Sequence, residues 1–443
     1  MPKVLLIGSG AREHALAHAL LASKTTRLSC FGSSRNPGIL PFCEEVQIGN
    51  LTDASAVAQF ARGCQPDLAI IGPEAPLAAG VADALWTAGV PTFGPTSPLA
   101  RIESSKSYAR QLMLSHKIPG LPRFKAFRSL DQVDAFLEDL GDQYVVKADG
   151  LMGGKGVKVS QEHLQSRAQA LQWCEEIIAQ GGSFLLEEKC LGPEFSLFTL
   201  SDGRTVLHLP PVQDHKRALP GDLGPNTGGM GSYTDCAGTL PFLQPEDLEA
   251  AKSINQLALQ ALQEETEHPY QGVLYGGFMA TAAGVRVIEF NARFGDPEVI
   301  NLLALLEDDL TPIIEACVYG NLAQFSPRFS SQASVCKYLV PHGYPDSPKR
   351  GFPIDLGQLT ASHGCFLGAV EENQGTITAT GSRSLALVAT APTVPEASEK
   401  VEEMVQQITG DLFHRPDIGT SGLLQDRIQL MDTVRSSSGR TAG

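Results

Sequence analysis

The sequence predicts an α/β protein, α+β overall, that opens on a doubly wound parallel sheet and closes on a small β-rich unit. Three observations carry this. Short apolar runs near the N-terminus are each followed by a turn and a helical apolar pattern, as in strands laid parallel by helical crossovers. The run YVVKADG at 144–150 passes into a glycine-rich loop, and a helical stretch separates it from an apolar run at 184–188, which outlines a small α/β lid. After SPRFSSQ at 326–332 the apolar runs are short and strand-like, VCKYLV and SLALVAT.

Taken in order, KVLLI at 3–7 is a strand ending at Gly8, and residues 13–21 carry a helical pattern. LAII at 68–71 is a second buried strand, GPEAPL at 72–77 a loop, and 79–88 a helix closed by Gly89. VPTFGPTSP at 90–98 reads as a last short strand and an exit loop. A helix is predicted over 104–116, before a Pro-rich joint, IPGLPRF. Further helices are predicted near 161–179, 246–265, 299–319 and 394–408, with a strand pair at 273–290. The closing RSSSGRTAG at 435–443 reads as frayed. No internal repeat is visible.

The chain has 443 residues, which at ~150 per domain suggests about three domains. Its formal net charge of −15 argues against a dedicated nucleic-acid or membrane surface, since phosphates reward clustered Lys and Arg. Nine scattered cysteines, without a CxxC pair, read as reduced thiols. MPKVLLIGSGAREHA holds too short an apolar run for a signal peptide, and the longest uncharged stretch, 84–100, is broken by Pro91, Gly94, Pro95 and Pro98. The expectation is a cytoplasmic protein.

The 44 glycines are clustered. Gly8-Ser9-Gly10 resembles the start of a dinucleotide fingerprint, but Glu13 stands where its third glycine belongs, and no acid occurs between His14 and Cys43. NAD binding is therefore disfavoured, and the turn either holds a phosphate, with Arg12 adding charge, or packs a helix. The segment 147–157 carries Lys147 and Lys155 but is no P-loop, because Gly156 follows Lys155. It is either a loop folding over phosphates or a surface hairpin. In VIEFNARFGDPE at 287–298, strand alternation puts Glu289 and Asn291 on one face, with Ile288 and Phe290 burying the other. Two hard oxygen donors suit Mg²⁺, which completes its shell with phosphate and water. Arg293 can grip a carboxylate or phosphate. Finally QDHKR at 213–217 precedes GDLGPNTGGMG at 221–231, a run without helix or strand propensity that reads as a ligand loop, with Asp214 for an ammonium group and Lys216 or Arg217 for an anion.

These segments together resemble the ATP-grasp superfamily and, within it, the phosphoribosylamine–glycine ligases. The matching segments are GxGxREHA at 8–15, GPEAPLxxGxxD at 72–83, KADGLxxGKGV at 147–157, QDHKR at 213–217, GPNTGGMG at 224–231 and IEFNxRFGDPE at 288–298, in the family's order. The resemblance implies an N-terminal α/β domain over 1–103, a two-lobed ATP-grasp core over 104–325 with 124–188 as its small lid lobe, and a β-rich domain over 326–425. Residues 426–443 are left as a tail with a disordered end. It also implies that ATP, glycine and 5-phosphoribosylamine are joined through glycyl phosphate to give glycinamide ribonucleotide, the second step of purine synthesis, with Mg²⁺ or Mn²⁺. A monomer or weak dimer is expected.

Carried over by position, Lys106, Lys147, Gly153, Gly154, Lys155 and Gly156 would meet the ATP phosphates. Glu187, Glu188 and Cys190 would form the adenine-facing linker, and Glu194 would accept the ribose hydroxyls. Glu289 and Asn291 would hold the metal. Asp214 and Arg293, catalytic with Lys155, would hold glycine's ammonium and carboxylate, while Gly10, Asn36, Glu74, Lys216 and Arg217 would line the phosphoribosylamine pocket. The chain departs from the family pattern at Ala11, Ser104, Pro193, Lys337 and 417–422, which puts C-terminal contacts, including a phosphate role for Arg383, in question. The competing readings are a related ligase for another amino acid or amine, a non-catalytic nucleotide-binding regulator and an NAD oxidoreductase.

Overall fold

The computed structural model describes residues 1–153 and 156–438. Near the N-terminus five strands form a parallel sheet in the order Cys43–Ile48, Arg27–Gly32, Lys3–Ile7, Leu68–Ile71, Thr92–Phe93. Lys3–Ile7 is buried along its whole length, as a strand covered on both faces must be. The order reverses beside it, which makes the sheet doubly wound. The expected loop at 72–77 instead contains a short helix, Glu74–Ala78. Five residues show no 3.6-residue period, and the acid in the first turn is the local sign of it.

The helix expected over 104–116 is found at Lys106–Ser115, and a further helix, Ser97–Ser104, precedes it, beginning inside the expected exit loop. Ser105 between them is extended, and its Oγ accepts the Tyr108 N–H at 3.2 Å, so it caps the second helix. The lid is an antiparallel sheet in the order Phe124–Phe127, Phe184–Glu188, Tyr144–Ala148, Val157–Val159, packed by helices Val133–Leu140 and Arg167–Ala179. The second of these starts six residues later than expected, where the Ser166 Oγ accepts the Gln169 N–H at 3.3 Å. The lid has its own apolar core, with Phe127 stacked on Phe184 at 5.4 Å, separate from the core shared by the rest of the molecule.

The large lobe is an antiparallel sheet of Val206–His208, Glu194–Asp202, Gln271–Thr281 and Gly284–Asn291, against which the helix Pro245–Thr266 packs. The helix expected over 299–319 is two, Glu298–Leu305 and Leu310–Tyr319.

The β-rich end departs furthest from expectation. Its main sheet runs Gln213–Asp214, Gly231–Thr234, Ala333–Pro341, Leu385–Ala391, Cys365–Leu367, so two strands come from before the boundary expected at 325/326. The glycine run at 221–231 is not irregular throughout: Arg217–Leu219 and Leu223–Asn226 pair as a hairpin. Residues from 426 on are no loose tail either. Ser421–Ser438 is one helix, with Met431 fully buried and Arg435 Nη2 2.5 Å from Asp247 Oδ2. Residues 439–443 lie outside the described residues. No helix among those described is long and apolar enough to cross a membrane, and the nine cysteines are free.

Candidate active site

The strand Gly284–Asn291 lines the cleft. Its register against Gln271–Thr281 slips once, so that Val287 and Glu289 face successive partners and Ile288 is a bulge. Glu289 and Asn291 still share a face, but Ile288 is half-exposed and does not bury the other one as expected. The bulge turns the Ile288 carbonyl to two cations. It accepts from Lys147 Nζ at 2.9 Å and from Arg110 Nη2 at 2.7 Å.

Glu187 completes this buried group. Arg110 donates to it at 2.7 and 3.1 Å, and Lys147 Nζ lies 2.7 Å from Oε2. Burial alone would raise the Glu187 carboxyl, but Arg110 and Lys147 outweigh it and hold it below its usual range. The Glu187 side chain therefore orients Lys147, and only its backbone is left for a ligand. Sequence reasoning missed Arg110; its signal was a lone charge among the buried Ala109, Leu112 and Met113. Along the same linker, Glu188 accepts the Arg123 N–H at 2.9 Å, and burial pushes the Cys190 thiol up to about 11.

Three lysines converge on Glu289. Lys216 Nζ is 3.3 Å from its Oε1 and 3.9 Å from Glu194 Oε2. Burial opposes ionisation of Glu289, yet Lys216, Lys147 and Lys106 bring its carboxyl down to about 2. Lys106 Nζ donates to the Gly150 carbonyl at 2.8 Å, at the entry to the glycine loop. In that loop Gly153 takes a left-handed φ of 54° with open space around it, so conformation and not crowding demands glycine there. Gly156 follows, and Gly154 and Lys155 lie outside the described residues.

Beyond Asn291, Arg293 Nε lies 3.4 Å from Glu74 and 3.2 Å from Glu103, and its Nη2 donates to Asn291 Oδ1 at 3.3 Å. Glu103 also accepts the Ala292 N–H at 2.7 Å; burial pushes it up to about 7 against the pull of Arg293. It was not foreseen, and nothing local marks it. Across the cleft Asp214 Oδ1 is buried without a partner, and burial, then Glu298, push the carboxyl upward. Gly229 closes over it: a Cβ there would stand 2.9 Å from Asp214 Oδ1 and 2.6 Å from Pro297 Cδ.

Other expected residues are engaged elsewhere. Gly10 donates its N–H to Glu13 Oε2 at 2.6 Å, and Arg12 Nε donates to Glu13 Oε1 at 2.6 Å, so the helix N-terminus holds its own carboxylate. The Asn36 amide donates to Ser9 O and Leu367 O at 2.9 and 2.7 Å. Arg217 donates to Glu162, to His163 Nε2 at 3.0 Å and to Gly224 O at 2.7 Å. Arg383 donates to three backbone carbonyls, those of Gly228, Gly229 and Asp296, at 2.6–3.0 Å, and to Asp296 Oδ2 at 2.9 Å. Its guanidinium clamps the glycine run.

Family profiles described as phosphoribosylglycinamide synthetase match the chain in order: the N domain over 2–103, the ATP-grasp (A) domain over 104–299 and the C domain over 334–421. The chain belongs to the phosphoribosylglycinamide synthetase family. As a member it is an ATP-grasp ligase, of a group that uses ATP and a divalent metal. The phosphoribosylamine–glycine ligase of Methanosarcina barkeri is 44% identical over 98% of this chain and 100% of its own length, and that of Methanocaldococcus jannaschii 44% identical over the same shares. A crystal structure of the Thermotoga maritima phosphoribosylamine–glycine ligase superposes with a TM-score of 0.79 at 26% identity, covering 94% of this chain and 99% of that one. A biotin carboxylase from Campylobacter jejuni, at 15% identity, TM-score 0.71 and 97% coverage of both chains, shares the fold.

Within this synthetase family the donor set fits the expected metal. Among the described residues no three His, Cys, Asp or Glu side chains are grouped to hold an ion. A cation here would rest on Glu289, Asn291 and ligand oxygens, the small protein share that Mg²⁺ accepts.

Proposed function

We propose that this protein, in the cytoplasm, joins glycine to 5-phosphoribosylamine while ATP is converted to ADP and phosphate, giving glycinamide ribonucleotide. The observation that carries the reading is the gathering of three lysines at one cleft, Lys216 3.3 Å from Glu289, Lys147 on the Ile288 carbonyl and Lys106 on the Gly150 carbonyl, in an otherwise acidic protein. Such a cleft suits a triphosphate.

Lys106 and Lys147, with Lys155 and glycines 153, 154 and 156 from the loop, hold the phosphates; Glu194 takes the ribose, and the backbone of 187–190 the adenine. Mg²⁺ or Mn²⁺ on Glu289 and Asn291 would neutralise phosphate charge during transfer. Asp214 accepts the glycine ammonium, whose arrival favours its ionised form. Arg293, aligned by Glu74 and Glu103, orients the carboxylate. The γ-phosphoryl group passes to that carboxylate, giving glycyl phosphate; the sugar amine attacks the acyl carbon and phosphate leaves. The sugar phosphate is met by Arg217, with Lys216, Glu74 and the backbone of Gly10 and Asn36 shaping the pocket. The Arg217–Glu162 pair is partly solvent-exposed and worth at most about 1 kcal/mol, so a phosphate can displace it. Closure of the lid would keep water from the acyl phosphate.

The test is ADP release assayed with freshly generated phosphoribosylamine. It should require glycine, a divalent metal and the sugar amine together. Equal ADP release with alanine, or without the sugar amine, would overturn the reading.

A further inference from the structure

The hairpin 217–226 presents Arg217 and follows Lys216 directly; its two strands pair with each other, and Arg217 donates to the Gly224 carbonyl at 2.7 Å, but its turn is held from outside. Its tip is a tight turn in which Gly221 and Asp222 both adopt left-handed backbone, with φ of 70° and 56°. For a non-glycine residue that conformation is uncommon and needs fixing from outside. The fixing comes from nearly two hundred residues downstream. Arg415, whose side chain is 0% exposed, donates from Nη1 to Asp222 Oδ1 at 2.7 Å and to the Arg217 carbonyl at 3.2 Å. Its Nε and Nη2 form a fork with Asp417 at 3.0 and 2.6 Å, and Asp417 Oδ2 accepts the Gly221 N–H at 3.0 Å. Arg427, from the C-terminal helix, donates to the other Asp222 oxygen.

The anchor is itself held. Lys337, also fully buried, donates to the Pro416 carbonyl at 3.0 Å, to Glu402 at 2.6 Å and to Ser398 at 2.9 Å. Lys337 faces Gly231 in the sheet register, at the far end of the same glycine run. Both ends of the segment that carries the hairpin are thus referenced to the C-terminal domain. The Arg217 carbonyl and the Asp222 carboxylate meet on one guanidinium, which sets the direction in which the Arg217 side chain leaves the hairpin.

We propose that Arg415 is a positioning residue for the reaction: by gripping the turn at Asp222 and the carbonyl of Arg217, it fixes the hairpin so that Arg217 points at the sugar phosphate. It touches no substrate and acts through the hairpin. The proposal rests on the assignment of Arg217 to phosphoribosylamine made above. Lysine cannot replace it, because one ammonium cannot serve two carboxylates and a carbonyl in the geometry of a planar fork.

The test measures KM for each substrate, kcat and thermal unfolding for the full-length chain and for Arg415→Lys, Asp222→Asn and Arg217→Ala. Asp222→Asn keeps a residue tolerant of left-handed backbone and removes only the charge, so it guards against an Arg415→Lys protein that fails to fold. The expected result is a KM for phosphoribosylamine raised at least tenfold in Arg415→Lys and Asp222→Asn, with KM for ATP within twofold. A merely structural role would lower kcat with the folded fraction and leave every KM unchanged, and that result overturns the proposal. If Arg217→Ala raises the phosphoribosylamine KM and the other two variants do not, positioning by Arg415 alone is refuted. If Arg217→Ala leaves it unchanged, the assignment of the hairpin fails and the proposal with it.

Discussion

The Leu367 N–H donates to Nδ1 of His14 at 2.9 Å, joining the first helix of the chain to a strand of the C-terminal sheet. An acceptor nitrogen must be unprotonated, and burial, aided by His18, brings His14 down to about 4 from its ordinary 6.5. The unfolded chain then binds the proton more readily than the folded one. The stabilisation from neutral His14 is complete above pH 6.5 and is lost as pH falls through 4, up to about 3 kcal/mol. His14→Gln, which offers an acceptor that does not titrate, should show a correspondingly shallower loss in urea unfolding between pH 7 and 4. An unchanged slope would remove His14 from the account.

Glu289→Gln should lower kcat at least about a hundredfold, since it removes the charge on which the lysines and the expected metal converge. Unfolding should stay cooperative, because the side chain lies at the edge of the cleft. Near-normal turnover would sink the metal assignment.

Arg110→Met strips Glu187 of its forked partner in a buried site and leaves Lys147 to neutralise it alone. Breaking such a pair costs about 3–5 kcal/mol, and the value here should fall near the lower end because Lys147 remains. Denaturant unfolding measures it. A loss below 1 kcal/mol would show that Arg110 does not hold the lid strand to the large lobe.

Glu162 of the lid meets Arg217 and, at 3.0 Å, Lys189. Before the sugar phosphate arrives and takes Arg217, Glu162→Gln should loosen the lid against the hairpin and raise ADP released per product formed, by up to about fivefold for a partly exposed pair. The ratio of ADP to product reports this directly, and a ratio unchanged from the parent would mean the pair does not help exclude water.

What the sequence disclosed divides along a physical line. Lys3–Ile7 was legible because a continuous apolar run of strand length has few alternatives, and Glu289 with Asn291 because strand alternation is local. Asp214, Lys216 and Arg293 stood out as charges inside distinctive segments. Glu103, Arg415 and Asp222 did not, because each acts on a partner far along the chain, and no periodicity encodes such a contact. The hairpin at 217–226 escaped for the same reason: its turn is secured by Arg415 and Asp417, so its own residues show no strand signal. The break between Leu305 and Leu310 lay beyond pattern reading, since the flanking helices continue the same apolar rhythm.

The sheet that pairs Gly231–Thr234 with Ala333–Pro341 has a consequence for the chain's divisibility. Cutting at 326 would strip a central strand from its neighbour and bare two backbone edges, each a template for aggregation. The residues from 326 on are therefore no detachable module. Any recombination that exchanged them would have to carry the segment from Gln213 to Thr234 along, so the part of the cleft holding Lys216 and the C-terminal sheet are inherited as one piece.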